Sequence, residues 1–154
     1  FIPTLPHLTK LIKTKTKYWN TETIISNDID NFDYYYDDVF ISVTCSGTAS
    51  LEIAKRNIPQ IVIYKLNFLT ELIFSFIVKV RKACLLNIIS NKIIIPEVVN
   101  SNLSKKNLIH LFEKLLKDEN YRNNQIKNVN NHITEFESKE SPFDISAKRI
   151  MDLL

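Results

Sequence analysis

Glycine is almost absent from this sequence, which holds a single one, Gly47, among its 154 residues. Cysteine is scarce as well. Cys45 and Cys84 lie far apart and fit no metal-ligand spacing, so neither a disulfide framework nor a cysteine metal site is indicated, and a reducing cytoplasm is the natural compartment. The pattern G-x-S-x-G of a serine nucleophile is also missing, which argues against Ser46 as a nucleophile.

A strong charge imbalance and a membrane-spanning run are missing too. The net charge of +3 does not indicate nucleic-acid binding. The most apolar run, residues 68–80, would extend only about 20 Å as a helix against a hydrocarbon core of about 30 Å, and it contains Glu71 and Lys79. It is either a core helix or, together with Arg81 and Lys82, a membrane-facing patch.

Charged residues cluster at two places near the start of the chain. The basic cluster predicts either a solvated helix face or attraction to an anionic membrane surface; it consists of Lys10, Lys13, Lys15 and Lys17. The acidic cluster between residues 28 and 38 matches no metal-binding spacing and is interpreted as a solvated loop. The three histidines are scattered, so no metal or other cofactor is predicted.

Strand and helix patterns alternate along the whole chain. Strands are predicted at 1–3, 22–26, 39–45 and 60–64. Helices are predicted from Pro6 to about 15 and at 30–38, 48–56 and 68–80. Three more follow: one capped by Ser104, a weakly packed one at 120–131, and one at 145–154 after a break at Ser141-Pro142. A polar loop is expected at 87–91 and a turn of helix at Pro96-Glu97. Such alternation predicts an α/β fold, a Rossmann-like parallel sheet with helices on both faces, in one domain over residues 1–154.

The only glycine lies where such a fold binds ligands. The strand at 39–45 would deliver Ser46, Gly47 and Thr48 to the carboxyl edge of the sheet, just before a helix starts. Free N–H groups at a helix start favour an anion, and a residue without a Cβ lets a phosphate approach the backbone. The alternative is a plain helix cap by the hydroxyl of Ser46 or Thr48.

A carboxylate follows one helical turn later. Glu52 lies four residues after Thr48, whereas a capping box requires a spacing of three. Thr48 and Glu52 therefore share one helix face, and a carboxylate there could accept hydrogen bonds from the two hydroxyls of a ribose. A phosphate at the helix start and a ribose one turn on would suit a nucleotide diphosphate. The alternative is a surface glutamate.

Three ordered segments resemble one family. SGTASLE (46–52), IPQIVIYKLNFLT (58–70) and LLNIISNKIIIPEVVN (85–100) are similar to successive blocks of lipid-A-disaccharide synthases. The chain departs from those blocks at Leu86, where the family usually has Pro, at Ser90-Asn91, where it has Ala-Gly, and at Asn100, where it has Gln.

The resemblance implies the carboxy-terminal, donor-binding domain of a GT-B glycosyltransferase. That enzyme joins UDP-2,3-diacylglucosamine to 2,3-diacylglucosamine 1-phosphate with inversion and without a metal, as a peripheral protein at the cytoplasmic face of the inner membrane. By resemblance the donor site would comprise Ser46, Gly47, Thr48, Glu52, Tyr64, Lys65, Asn87 and Glu97.

The same resemblance implies a missing partner. The family's Gly-Ser-Arg phosphate loop and its amino-terminal domain with the catalytic Asp have no counterpart in this sequence, so no catalytic residue is assigned. We expect the chain to be inactive alone and to need the amino-terminal half. Two alternatives are the donor domain of another UDP-sugar GT-B enzyme and a non-catalytic α/β interaction module.

Overall fold

The computed structural model describes residues 1–28, 32–65, 82–99, 103–134 and 140–153. The chain divides into two units, Phe1–Phe40 and Ile41–Leu154, each with its own sheet. The single domain over residues 1–154 stays a prediction.

The first unit is built around two very short parallel strands. Its elements are β1 (Ile2–Pro3), a 3-10 turn (Pro6–Leu8), α1 (Thr9–Thr16), β2 (Ile25–Ser26) and α2 (Phe32–Tyr36). Ile2 pairs with Ile25, so the predicted strand at 22–26 is present only at its end. None of the unit's described residues is buried, and its main apolar contact is the Phe1 ring stacked on Tyr35 with centroids 4.6 Å apart.

The second unit contains a three-stranded parallel sheet. Its elements are β3 (Ser42–Cys45), α3 (Thr48–Lys55), β4 (Gln60–Tyr64), α4 (Leu85–Ile89), β5 (Glu97–Val99), α5 (Lys105–Lys117), α6 (Glu119–Ile133) and α7 (Pro142–Met151). The strand order is β3-β4-β5, with Cys45 opposite Ile63 and Tyr64 opposite Val99. The carboxyl ends of the three strands therefore meet at one edge.

Helices cover both faces of this sheet. Val62 packs on one side into a cluster with residues of α3, α4 and α6, while its neighbour Ile61 packs on the other side with Val98 and with Leu115 of α5. This alternation follows from the two-residue period of a strand. Each fully buried aliphatic side chain contributes about 1.5–3 kcal/mol. The predicted α/β class, a parallel sheet flanked by helices, is confirmed.

The segment 85–99 differs from its prediction. The expected helical turn at Pro96-Glu97 is wrong, because β5 begins at Glu97 and pairs with β4 through the bond from Val62 N–H to the Pro96 carbonyl (2.9 Å). The β-branched pair after Glu97 fits a strand better than a helix. The expected polar loop at 87–91 is also wrong in part, since α4 extends to Ile89.

The carboxy-terminal helices gave mixed outcomes. The predicted cap of α5 is confirmed, because Ser104 accepts a hydrogen bond from Asn107 N–H at 3.1 Å. Helix α6 is better packed than predicted, since Gln125, Val129 and Ile133 are buried at a spacing of four. The expected break at Ser141-Pro142 is instead the start of α7, with Ser141 as its N-cap.

Two segments were considered for contact with a membrane, the apolar run at 68–80 and the lysines near the start of the chain. The predicted helix at 68–80 lies outside the described residues. Among the helices that are described, none combines the length and apolar character needed to cross a membrane. The lysines near the start of the chain are exposed on and just after α1, as either of their two interpretations requires.

Candidate functional site

The carboxyl end of β3 turns directly into α3 through Ser46 and Gly47. Gly47 has φ +133° and ψ −159°, a backbone conformation that is essentially restricted to glycine. A Cβ placed on Gly47 would meet no atom of the described residues within 4 Å. The part of the chain that the structure describes therefore leaves the helix start open to a ligand.

Helix α3 begins without a side-chain cap. Gly47 is the N-cap residue and no side chain of the described ranges bonds the helix start there, so the alternative of a cap by Ser46 or Thr48 does not describe α3. The turn is held from within, because Ser50 donates its hydroxyl to the Gly47 carbonyl at 2.7 Å. An uncapped helix start attracts an anion by about 0.3–1 kcal/mol.

The hydroxyl of Ser46 points inward to the segment before α4. Its Oγ donates to the carbonyl oxygen of Ala83, which commits the hydroxyl proton and leaves only acceptor lone pairs. Thr48 and Glu52 are both exposed and share one face of α3. The structure thus keeps the predicted phosphate and ribose residues on one accessible surface.

Tyr64 and Lys65 lie at the same edge of the sheet. Tyr64 ends β4, one position beyond the Cys45–Ile63 pair, and is level with the Ser46 turn of the neighbouring strand. Tyr64 and Lys65 are both exposed. Tyr64 and Lys65 therefore lie at the edge of the sheet where α3 starts.

Asn87 is placed differently from what the sequence predicted. Its side chain is fully buried. The amide oxygen accepts from Ile94 N–H (2.8 Å) and Ile95 N–H (2.9 Å), and the amide nitrogen donates to the Ile95 carbonyl (2.7 Å) and to Glu97. These four bonds use the full capacity of the group. Asn87 therefore shapes the segment after α4 and has no bond left for a donor substrate.

Glu97 also faces inward rather than capping a helix of its own. One carboxylate oxygen accepts from Ala83 N–H (2.6 Å), and the other accepts from Cys84 N–H (3.1 Å) and from the amide of Asn87. The predicted place of Glu97 in a helix first turn is wrong, because it begins β5. Its negative charge lies instead at the amino-terminal end of α4.

The thiol of Cys84 shares this environment. Its side chain is fully buried at the N-cap position of α4. Burial raises the pKa of the Cys84 thiol, and the negative charge of Glu97 adds to the effect. The thiol is therefore protonated at neutral pH and unreactive.

Two features of this region carry no signal in the sequence. Ala83 links Glu97 to Ser46 through its main chain alone, which no side-chain pattern reveals. Gln125 of α6 bonds both main-chain groups of Gln60, with Oε1 accepting from N–H at 2.6 Å and Nε2 donating to the carbonyl at 3.0 Å. A polar residue on the inner face of a helix was the one available hint.

Comparison with known proteins decides the family. The model of the family described as lipid-A-disaccharide synthetase matches residues 1–150. The chain belongs to this family. It is 28% identical to the lipid-A-disaccharide synthase of Gluconobacter oxydans (strain 621H), over 99% of this chain and 37% of that protein.

Other relatives carry the same description. The chain is 31% identical to the lipid-A-disaccharide synthase of Rickettsia prowazekii (strain Madrid E), over 84% of this chain and 37% of that protein. It is 36% identical to a probable mitochondrial lipid-A-disaccharide synthase of Arabidopsis thaliana, over 53% of this chain and 18% of that protein. The chain thus spans little more than a third of the length of the curated relatives that it matches most fully.

The departures from the pattern of lipid-A-disaccharide synthetases have structural explanations. Asn91 adopts φ +53°, the left-handed conformation in which asparagine is the best substitute for the expected glycine. Leu86, at the position of the expected proline, is fully buried in the cluster around Val62. The loop geometry at Asn91 is therefore available without a glycine.

Proposed function

We propose that this chain binds the UDP part of a nucleotide-sugar donor in lipid A biosynthesis. The observation that carries the proposal is the open turn at Gly47, where the end of a parallel strand meets an uncapped helix start. Such a place in an α/β sheet suits a diphosphate, because N–H groups and the helix dipole both favour negative charge. Family membership supports a UDP-sugar as the diphosphate compound.

Each exposed residue of the site has a role in this proposal. The pyrophosphate lies against Gly47 and the hydroxyl of Thr48, and the amine of Lys65 neutralises part of its charge. Glu52 accepts hydrogen bonds from the two ribose hydroxyls one helical turn away. Tyr64 borders the bound donor, while Ser46, Asn87 and Glu97 hold the turn from behind.

The complete reaction is a proposal as well. The donor would be UDP-2,3-diacylglucosamine and the acceptor 2,3-diacylglucosamine 1-phosphate, joined with inversion and with release of UDP. We assign the chain donor binding and no catalytic base, and its inactivity alone, its need for an amino-terminal half and its peripheral position at the inner membrane stay predictions. The family assignment favours this activity over another GT-B transferase or an interaction module.

Calorimetric titration with UDP tests the binding step. We expect saturable binding, and at 100 times the dissociation constant UDP should stabilise the fold by about 2.7 kcal/mol. Lys65→Ala should lower the affinity of the chain for both UDP and inorganic pyrophosphate. Glu52→Gln should lower the affinity for UDP by about tenfold and leave the affinity for pyrophosphate unchanged, because UDP carries a ribose and pyrophosphate does not.

A matched control is Glu113→Gln, which removes the same charge from an exposed ion pair with Lys117 on α5. This variant should bind UDP as the unaltered chain does. Absence of both binding heat and thermal stabilisation at millimolar UDP would refute the donor site.

A further inference from the structure

We propose that Glu97 is a positioning residue for the donor site: through the main chain of Ala83 it fixes the hydroxyl of Ser46 and hence the turn at Gly47. This inference rests on the proposed function for its consequence in UDP binding. Its structural part stands on hydrogen bonds that are independent of any ligand.

The connection passes through a single residue. Ala83 N–H donates to the Glu97 carboxylate at 2.6 Å, and the carbonyl oxygen of the same Ala83 accepts from Ser46 Oγ. Fixing both polar groups of one residue fixes the orientation of its main chain. Glu97 and Ser46 are thus coupled although 51 positions (97 − 46) separate them in the sequence.

The anchor of this connection is rigid. Glu97 is paired with Val62 in the parallel sheet, and Val62 is fully buried. The carboxylate is also bonded by Asn87, whose amide is itself held by the main chain of Ile94 and Ile95. Glu97 is therefore fixed by the sheet, Ala83 is fixed by Glu97, and Ser46 is fixed by Ala83.

A carboxylate suits this place because the described groups that bond it are all N–H donors. Three N–H groups converge on the two oxygens, from Ala83, Cys84 and Asn87. A carboxylate only accepts, whereas an amide of the same shape would place an N–H₂ group against one of these donors. If the amide keeps its oxygen toward Cys84 and Asn87, the lost partner is Ala83, the residue that holds Ser46.

The connection also restricts what Ser46 offers a ligand. Since its proton is committed to Ala83, Ser46 presents lone pairs and cannot donate to a phosphate. Its contribution to diphosphate binding is therefore to hold the turn. Glu97 and Ser46 should then act as one unit, and the effects of changing them should not multiply.

A double-mutant cycle on the full chain tests this coupling. UDP affinity is measured for the unaltered chain, Glu97→Gln, Ser46→Ala and the double variant, with Glu113→Gln as the charge-loss control. Each single change should weaken UDP by about tenfold, and the double variant should be within about twofold of the weaker single variant. Independent effects that multiply to about a hundredfold would overturn the proposal.

A measurement without ligand separates this inference from the proposed function. Amide hydrogen exchange at Ser50, whose N–H donates to the Gly47 carbonyl at 3.2 Å, should be faster in Glu97→Gln and Ser46→Ala than in Glu113→Gln and the unaltered chain. Unchanged exchange in Glu97→Gln would reject the positioning role even if UDP binds. Failure of the unaltered chain to bind UDP would reject the donor site, whereas exchange still decides the role of Glu97.

Glu97→Asp guards against loss of folding in the amide variant. It keeps the charge but shortens the side chain by one methylene. It should restore exchange protection at the Ser50 N–H at least in part. Protection lower than in Glu97→Gln would contradict the requirement for a carboxylate.

Discussion

Two polar networks lie inside the second unit, and they differ in charge and in where they end. The amide network consists of Thr44, Ser50, Gln60 and Gln125, with Gln60 donating to the Ser50 carbonyl and accepting from the Thr44 hydroxyl, both at 2.8 Å. The carboxylate network consists of Glu97, Asn87, Ala83, Cys84 and Ser46. The first ends at Gln125 of α6 and also touches the turn through the Ser50 hydroxyl, which bonds the Gly47 carbonyl, whereas the second ends at Ser46, the residue before Gly47.

The two networks also differ in how deeply their members are buried. In the amide network Gln60 and Gln125 are almost fully buried, so the network joins β3, α3, β4 and α6. In the carboxylate network Asn87 is buried but Glu97 and Ser46 are half-buried. Among the described residues every buried side-chain polar atom has a partner, so removing any one partner leaves another group unsatisfied. The following substitutions test whether the two networks contribute differently to the free energy of unfolding and to UDP affinity.

The largest loss of stability is expected for Asn87→Ala in the carboxylate network. The change leaves two buried N–H groups, one carbonyl and part of the Glu97 carboxylate without partners. We expect the free energy of unfolding in urea to fall by about 4 kcal/mol. Asn128→Ala is the control, because the half-buried Asn128 bonds Asn124 within the same helix, and its change should be within about 0.5 kcal/mol. A loss below about 1 kcal/mol for Asn87→Ala would contradict its supporting role.

Gln125→Met removes the hydrogen bonds of the amide network to the Gln60 main chain while keeping the side-chain volume. The Gln60 N–H then loses its buried acceptor. We expect a loss of about 2 kcal/mol in urea unfolding, with UDP affinity unchanged. Asn123→Met on the exposed side of α6 serves as the control. A weaker UDP complex in Gln125→Met would show that the amide network also shapes the site.

The elements around the proposed site were largely predictable from sequence. The strand at Gln60–Tyr64 matches its predicted bounds, and α3 differs from its prediction by one residue. Both have strong local signals, namely a β-branched run bounded by Pro59 and a helix after the only glycine. The exposed residues Thr48 and Glu52 follow from helical spacing alone.

The inner layer could not be predicted in the same way. Ile94 and Ile95 belong to a short apolar run, and nothing in that run indicates that their N–H groups bond the Asn87 side chain. Pro96 signalled a helix start, yet pairing with β4 makes the next residues a strand. Asn87 and Glu97 have side chains that suit ligand contact equally well, and only tertiary packing turns them inward.

A dependence on alkaline pH should distinguish the two networks further. The groups facing Cys84 are Glu97, the Ser50 hydroxyl and the main chain of Leu86 and Asn87, and burial raises its pKa above 9.0 in the folded state. As pH rises above about 9, the Cys84 thiol loses its proton in the unfolded chain before it does so in the folded chain. Its contribution to the free energy of unfolding is therefore fully present below that pH and is lost as pH approaches the raised pKa. The amide network contains no titrating group and should contribute no slope.

Unfolding free energies between pH 8 and 9.5 measure this slope. Cys84→Ala should flatten it, whereas Gln125→Met, which changes the amide network, should leave it unchanged. The window stops below the titration of Tyr121, whose pKa is also raised by burial and by the charge of Asp118. An equal slope in Cys84→Ala would assign the effect to another group.

The smallest effect is expected at Asn91, which follows α4 and belongs to neither network. Its φ of +53° suits glycine as well as asparagine, and its side chain makes one exposed bond, accepting from Lys82 Nζ at 2.9 Å. Asn91→Gly should change the free energy of unfolding by less than about 0.5 kcal/mol and should leave UDP affinity intact. Asn91→Ala should cost about 1 kcal/mol, because a side chain without a local hydrogen bond tolerates the left-handed conformation poorly. Equal stability of the two variants would show that the backbone at Asn91 does not constrain the loop, and the departure from the family glycine would then need no conformational explanation.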